Sequence, residues 1–499
     1  MELQIHFFRQ GHFGQLTPSN IIDYIVPEYQ KHPIDDIVPA WMPLDNQNYR
    51  LDTSDSGIVH WWNYIAITPS VRGYSSHPTG SRRDWQYLLQ LATRDPKESN
   101  QLLVKNKALF YIDQFGIGYR ENSIASYPKV LLSDPKIMTE GESRRDLAWY
   151  KISEDYTSPI VFPNNSAPVL VIGDNEGYKT IIRTISMQNL NTRLLIPING
   201  PTKIDDLSLS DLRIYKAVVL YRFTSGSWTK LERYVENGGL LIINAAEDNN
   251  DFKTNLPNIF PFNKINVATI KGRLNLEKKS DSELLNNVNL NNFSPYLYNG
   301  PDWKIEYGNI ADLRKSATAI ITEKNKVFLA ENKVGKGRVI WSGLNMPYHT
   351  VINENYDESV LFANFFKRAI DAKSLDPNYT ITKFEPTDIS VETKNTTGIL
   401  YKENYHSGWQ ASVNGKAVKA LVAGLDFIYV PVPLNLQSQH IKVELSFKGG
   451  FDTWGTFFLT VISIIINVFY LVTPKYFAKT FKYLFRIFTK PFGNWLYSE

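Results

Sequence analysis

The chain has 499 residues, enough for several domains each with its own core, and its 43% hydrophobic and 21% charged content is that of folded protein. Its net charge of +4 is too small to imply a nucleic-acid partner. The absence of cysteine excludes disulfides, thiolate metal sites and a cysteine nucleophile, and leaves the redox compartment open.

The N-terminal stretch MELQIHFFRQGHFGQL has no basic n-region and lacks the apolar core, roughly 7–15 residues, of a signal peptide. Residues 1–160 read as a mixed α+β domain. His60, Trp61, Trp62, Tyr64, Tyr74 and His77 fall in two irregular aromatic segments. Trp61, Trp62 and Tyr74 are candidate stacking surfaces for a sugar ring, set against the ordinary role of aromatics in packing domains together. The pattern predicts a helix over 84–93 and a buried strand over 108–112, closed by Gly116 and Gly118. Residues 163–168 read as a linker.

Residues 165–372 alternate strands and helices, which implies right-handed crossovers and a doubly wound α/β sheet. Predicted strands lie at 169–172, 193–197, 217–221 and 240–243, with helices over 178–189 and 227–236. The glycines after Asn237 mark the end of the second helix. A polar, Asn-rich stretch from 249 to 299 follows. A meander over 317–342 and a closing helix over 358–370 complete the unit. The turn Gly173-Asp174-Asn175-Glu176-Gly177 precedes a helix, where either anion binding or plain capping is expected; its two carboxylates favour capping. Glu247 and Asp248 follow a strand at the edge where open α/β sheets hold ligands, and are candidate ligand-binding residues beside the plainer role of a solvated loop. His349 is a further candidate, read as a loop residue facing a cleft. No histidine stands four residues away, so no metal site is expected. Neither a catalytic residue nor a cofactor is assigned.

Residues 375–448 carry short alternating strands around Asn414-Gly415, a strong hairpin dipeptide, and predict an antiparallel β-sandwich. Residues 453–473 hold no charged side chain and suffice to cross a bilayer core of roughly 30 Å as a helix. Beyond them Lys475, Lys479, Lys482, Arg486 and Lys490 recur at helical spacing among aromatic residues. Residues 475–495 therefore predict a basic amphipathic helix on an anionic, cytoplasmic membrane surface. The basic flank places the bulk of the chain outside and its end inside the cell. With no export signal at Met1, the expectation is a C-terminal piece of a longer polytopic protein.

The segment Tyr405 to Lys416, YHSGWQASVNGK, followed by FIYVP and a transmembrane run, resembles the end of bacterial YfhO-type membrane proteins and of the related 6-pyruvoyl-tetrahydropterin-synthase-related membrane proteins. ALFYIDQFG at 108–116 and WSGLNMP at 341–347 fit the same setting. These families are similar to GT-C glycosyltransferases, in which many N-terminal spans precede a large exported region. The middle unit resembles the class I glutamine amidotransferase-like fold. Its nucleophile elbow would fall at Asn244-Ala245-Ala246-Glu247, which offers no thiol or hydroxyl, so glutaminase chemistry is not expected. The resemblance implies an accessory region, bound to membrane lipid and to upstream spans, that positions a cell-envelope glycan or partner. Glycosyltransferase activity, if present, would reside in the full-length parent. A structural or assembly protein without sugar chemistry is the alternative, and a hydrolase built on Glu247, Asp248 or His349 a third.

Overall fold

The computed structural model describes residues 38–53, 62, 66–71, 85, 87–89, 91–92, 100–123, 131, 133–144, 147–207, 212–245, 256–296, 303–370 and 378–473. Near the N-terminus, strands β1 (Arg50–Thr53), β2 (Ile117–Ser123), β3 (Met138–Arg144) and β4 (Leu147–Ile152) form a four-stranded sheet of order β1-β2-β4-β3. The apolar run at 108–112 is not a strand. It lies inside helix α1 (Gln101–Phe115), buried from Ala108 to Phe115. A short apolar run buried on every side has no period to separate helix from strand. The caps separate them: Asn100 accepts hydrogen bonds from the Leu102 and Leu103 amides, and Gly116 ends the helix at φ +64°.

The presumed linker is also structured. Strand β5 (Val161–Asn164) leads directly into β6 (Ala167–Ile172), an APVLVI run buried at every position, as a strand covered on both faces must be. Helix α2 (Asn175–Ser186), β7 (Leu195–Asn199), β8 (Ala217–Leu220), α3 (Thr229–Glu236) and β9 (Leu240–Asn244) follow. The Asn-rich stretch contributes β10 (Asn266–Ile270) and β11 (Glu277–Lys278). Then come β12 (Trp303–Asn309), β13 (Ala317–Glu323), β14 (Lys326–Val334), β15 (Gly337–Ser342), α4 (Met346–Asn353) and α5 (Tyr356–Asn364). Strands β7, β6, β8, β9 and β15 are mutually parallel. Numbered by appearance within that parallel group, their order is 2-1-3-4-5, and it reverses between β6 and β8.

The last strands are β16 (Tyr379–Glu385), β17 (Asp388–Lys394), β18 (Gly398–Asn404), β19 (Trp409–Val413), β20 (Lys416–Val418), β21 (Leu421–Ala423), β22 (Phe427–Pro431) and β23 (His440–Phe447). A five-stranded antiparallel sheet, β16-β17-β23-β19-β20, packs on β22, β18 and β5, with β21 paired beside β22. Those four strands belong to the same 14-stranded sheet as the parallel group, joined where Ala423 of β21 pairs with Ile198 of β7. One continuous sheet therefore serves both the α/β unit and one layer of the sandwich. Asn414 and Gly415, at φ +49° and +74°, make the expected two-residue hairpin between β19 and β20.

After Gly450 the chain enters α6 (Phe451–Val472). Its segment Trp454–Val472 has mean hydropathy 2.2, and none of its residues is buried among the described residues. At 1.5 Å per residue, 22 residues span about 33 Å.

Candidate functional site

The candidates read from sequence do not converge. Trp61, Tyr74, Glu247, Asp248, Lys475, Lys479, Lys482, Arg486 and Lys490 lie outside the described residues. Trp62 is fully buried: its Nε1 donates to the Thr68 carbonyl at 2.8 Å and its ring leans on Trp149 at 6.1 Å. It is a core residue of the N-terminal unit and no sugar platform.

His349 sits in α4 rather than in a loop, and it faces no cleft. Asn345, at φ +47°, turns the chain out of the β15 segment, and Pro347 sits in the first turn of the helix. The His349 ring stacks on Tyr296 at 3.9 Å, meets Trp303 edge-on at 4.9 Å, and holds Glu358 of α5 through Nδ1 at 2.7 Å. Glu358 also accepts the Ser294 amide at 2.9 Å. Burial, with a further contribution from the Glu358 charge, raises the Tyr296 hydroxyl well above its ordinary pKa. Neither His349 nor Glu358 reaches solvent, so the pair orients α4 against α5 and offers nothing to a substrate.

The crevice where the strand order reverses is closed by the chain itself. Asp174 caps α2 by accepting the Gly177 amide at 2.6 Å. Its carboxylate also receives Arg222 Nε, 3.0 Å from each oxygen. The capping role expected for this turn is the one found, and the Asp174 carboxylate, paired with Arg222, occupies the place at the helix N-terminus that a bound anion would need.

Sequence reasoning missed a buried junction and an open groove. At the junction, Lys402 of β18 donates from Nζ to the Asp113 carbonyl, to the Ser158 carbonyl at 2.8 Å and to Ser158 Oγ at 2.6 Å. Ser158 Oγ lies 2.7 Å from Asp113 Oδ1, and Asp113 Oδ2 accepts the Thr192 amide at 2.8 Å. Burial pushes the Lys402 ammonium down to about 7, opposed by the Asp113 charge. A Ser–Lys contact has the look of a nucleophile and its base, but Ser158 and Lys402 are both wholly buried. The cluster ties α1, the loop before β7 and the sandwich together.

The groove is an open concavity of about 650 Å³ at one end of the five-stranded sheet, lined among others by Lys383, Asp388, Trp409, Gln410, Lys419 and Lys448. Register explains the grouping. Asp388 and Gln410 both pair with Ser446, and Val418 pairs with Ala411, so these side chains gather at one end of the sheet. That end adjoins α6, because Lys448 stands three residues before Phe451. Glu444 is matched by Lys442 at 2.6 Å, which holds its carboxyl below the usual range, and Asp388 faces Lys383 at 3.8 Å. Lys419 and Lys448 form no salt bridge among the described residues, leaving the groove net basic. Ser390, a lining residue only 7% exposed, has no hydrogen-bond partner for its Oγ among the described residues. The only prior signal was alternation in β17, β19 and β23, which marked an outward polar face without showing that it is concave.

No protein-family model and no curated protein matches the chain. Among solved structures, a cytoplasmic protein from Salmonella typhimurium is similar at 12% identity, over 40% of this chain and 96% of that one, with TM-score 0.29. A second cytoplasmic protein, from Salmonella typhimurium LT2, aligns at 11% identity over 41% and 100% of the two chains, with TM-score 0.30. A β-galactosidase from Bacillus circulans sp. alkalophilus aligns at 12% identity over 57% and 42%, with TM-score 0.27. Superpositions this loose assign neither fold nor activity.

Proposed function

We propose that this chain is the exported, membrane-anchored binding region of a YfhO-type polytopic protein similar to GT-C glycosyltransferases, and that it positions a cell-envelope glycan or partner beside the bilayer. The observation that carries this reading is the basic, polar groove, whose lining residue Lys448 stands three residues before the start of α6. A half-buried Trp409 and, among the described residues, a serine hydroxyl without a hydrogen bond and two lysines without a salt bridge suit a ligand with hydroxyls and negative charge. The 2-1-3-4-5 parallel sheet supports an amidotransferase-like scaffold, while Asn244 at the expected elbow leaves it without a nucleophile. The basic tail from Lys475 to Lys490 completes the reading as a cytoplasmic helix on anionic lipid.

The topology test uses intact cells that express the chain together with its parent's upstream spans, and the binding test uses the full chain in liposomes. In cells, Lys416→Cys, at the sandwich hairpin, should react with an impermeant thiol reagent added outside, and Lys490→Cys should not. Lys419→Gln with Lys448→Gln should weaken binding of isolated anionic cell-wall glycan at least tenfold, with neutral glycan binding less changed. Reversed labelling removes the topology. Equal binding by the double variant removes the groove and leaves the structural or assembly alternative.

A further inference from the structure

The groove and the apolar helix are joined by a link too short to part them. Lys448 lines the groove, and α6 begins three residues later at Phe451. Three steps of a fully extended chain cover at most about 11 Å. The link is also held against the groove wall. The Lys448 amide donates to the Gly408 carbonyl at 2.9 Å. A Cβ on Gly408 would stand 2.6 Å from the Gly449 carbonyl carbon, so the link lies close along the loop that brings Tyr405 and Ser407 into the lining. Asp388 and Gln410 meet Ser446 at this same end of the sheet. Lys394 pairs with His440 at the other end, about 20 Å away along β23.

The run from 453 to 473 is uncharged, and Trp454 stands at its start, as aromatic residues do where hydrocarbon meets headgroups. The headgroup layer on each side of a bilayer core is roughly 5–7 Å deep. With α6 in a bilayer, the near wall of the groove therefore stands within reach of the lipid phosphates. Charge at this wall is one-sided. Asp388 and Glu444 are answered within the protein, by Lys383 at 3.8 Å and Lys442 at 2.6 Å. Lys419 and Lys448 are exposed and make no salt bridge among the described residues. Ser407, Gln410 and Ser446 add hydroxyl and amide groups to the same lining.

We infer that the groove holds the headgroup of an anionic lipid from the bilayer that α6 enters, a phosphodiester with free hydroxyls, and that this contact seats the sandwich on the membrane. The short link decides for a lipid over a soluble anion. A ligand confined to a surface three residues away is present at high effective concentration, whereas a soluble one must arrive from bulk. Two lysines beside an anionic surface then suffice for a clear preference. The inference rests on the reading of α6 as an anchor and of the groove as the binding site, and names that site's ligand.

The chain has no cysteine, so a single fluorophore can be placed without background. Full-length Ser407→Cys and His440→Cys variants are labelled and reconstituted in liposomes, and flotation is measured first. Quenching is then compared for two lipids at equal fraction, phosphatidylglycerol and phosphatidylcholine, each carrying a nitroxide high on one acyl chain. The ratio of the two reads lipid preference at the label and cancels mere proximity to the bilayer. The expected result at 407 is a preference for phosphatidylglycerol of about tenfold, falling to near one with Lys419→Gln and Lys448→Gln while flotation is unchanged. At 440 little quenching by either lipid is expected. Soluble glycerol phosphate should leave the preference at 407 in place.

A chain that does not float overturns the anchor, and the inference with it. A floating chain with no preference at 407 overturns the inference alone, and glycan binding through the same lysines would then keep the broader reading. A preference that survives the double variant, or equal quenching at 440, places the lipid elsewhere and overturns the groove assignment. Loss of the preference in dilute glycerol phosphate makes the groove a site for soluble phosphate and overturns the choice of a lipid.

Discussion

His349 Nδ1 lies 2.7 Å from Glu358 Oε2, and neither side chain has any solvent exposure. The contact bridges α4 and α5, the two short helices that close the α/β unit after its last parallel strand. Eight- and nine-residue helices have little stability of their own, so a directional contact between them counts for more than it would between long ones.

Removing one partner should expose that dependence. Glu358→Ala strands a buried imidazole and frees the Ser294 amide, and should destabilise the chain by about 3–5 kcal/mol. Glu358→Gln keeps a carbonyl oxygen for the Ser294 amide and offers its Nε2–H to His349 Nδ1 when the imidazole proton sits on Nε2, and should cost clearly less. Denaturant unfolding followed by tryptophan fluorescence measures both. Equal losses in the two variants would mean that packing, not hydrogen bonding, holds the helices together.

The closed crevice makes a second prediction. A Cβ on Gly173 would stand 1.9 Å from the Tyr221 carbonyl oxygen, and one on Gly177 3.0 Å from the same atom. The ends of β6 and β8 approach this closely because Asp174 and Arg222 lock the turn between them. Gly173→Ala must push the strands apart and should cost about 1–3 kcal/mol or more, while Gly177→Ala should cost less. Thermal unfolding of both variants decides; a neutral Gly173→Ala would mean the crevice is looser than the backbone distances imply.

Much of the architecture was legible from short-range pattern. Buried parallel strands such as VLVI announce themselves by composition, Asn414-Gly415 by turn chemistry, and α6 by length without charge. The errors share one cause, which is that tertiary burial erases periodicity. ALFYI at 108–112 is apolar throughout because α1 is covered on all sides, so only Asn100 and Gly116 marked it as helical. Pro163 and two asparagines disguised β5, which pairs with β18 across more than 230 residues of chain. The candidate site was less legible still. His349 looked available because a lone histidine after a proline resembles a loop, and nothing local recorded that Tyr296, Trp303 and Glu358 would enclose it. The groove and the Lys402 junction are made of residues far apart in sequence, and a lysine inside a strand gives no sign of being buried.

Lys402 supplies the last prediction, a dependence of stability on pH. Burial holds the folded ammonium near pKa 7, whereas an unfolded lysine titrates at about 10.4. Between those values the unfolded chain keeps a proton that the folded chain has released, so stability rises with pH across that window. Below pH 7 both states are protonated and the full cost of burying the charge is present. Lys402→Met removes the titration while keeping most of the volume. The unfolding free energy of the wild type minus that of Lys402→Met should be flat below about pH 6.5. Above it, the difference should climb by up to about 1.4 kcal/mol per pH unit toward pH 9.5. Asp113, Ser158 and Thr192 are held in the same cluster, so the variant should also loosen the contact between α1 and the sandwich, seen as faster amide exchange at Thr192. A difference that stays level from pH 6 to 9.5 would mean that the three acceptors around Nζ keep the ammonium charged throughout, and that the junction is a permanent ion-dipole clamp.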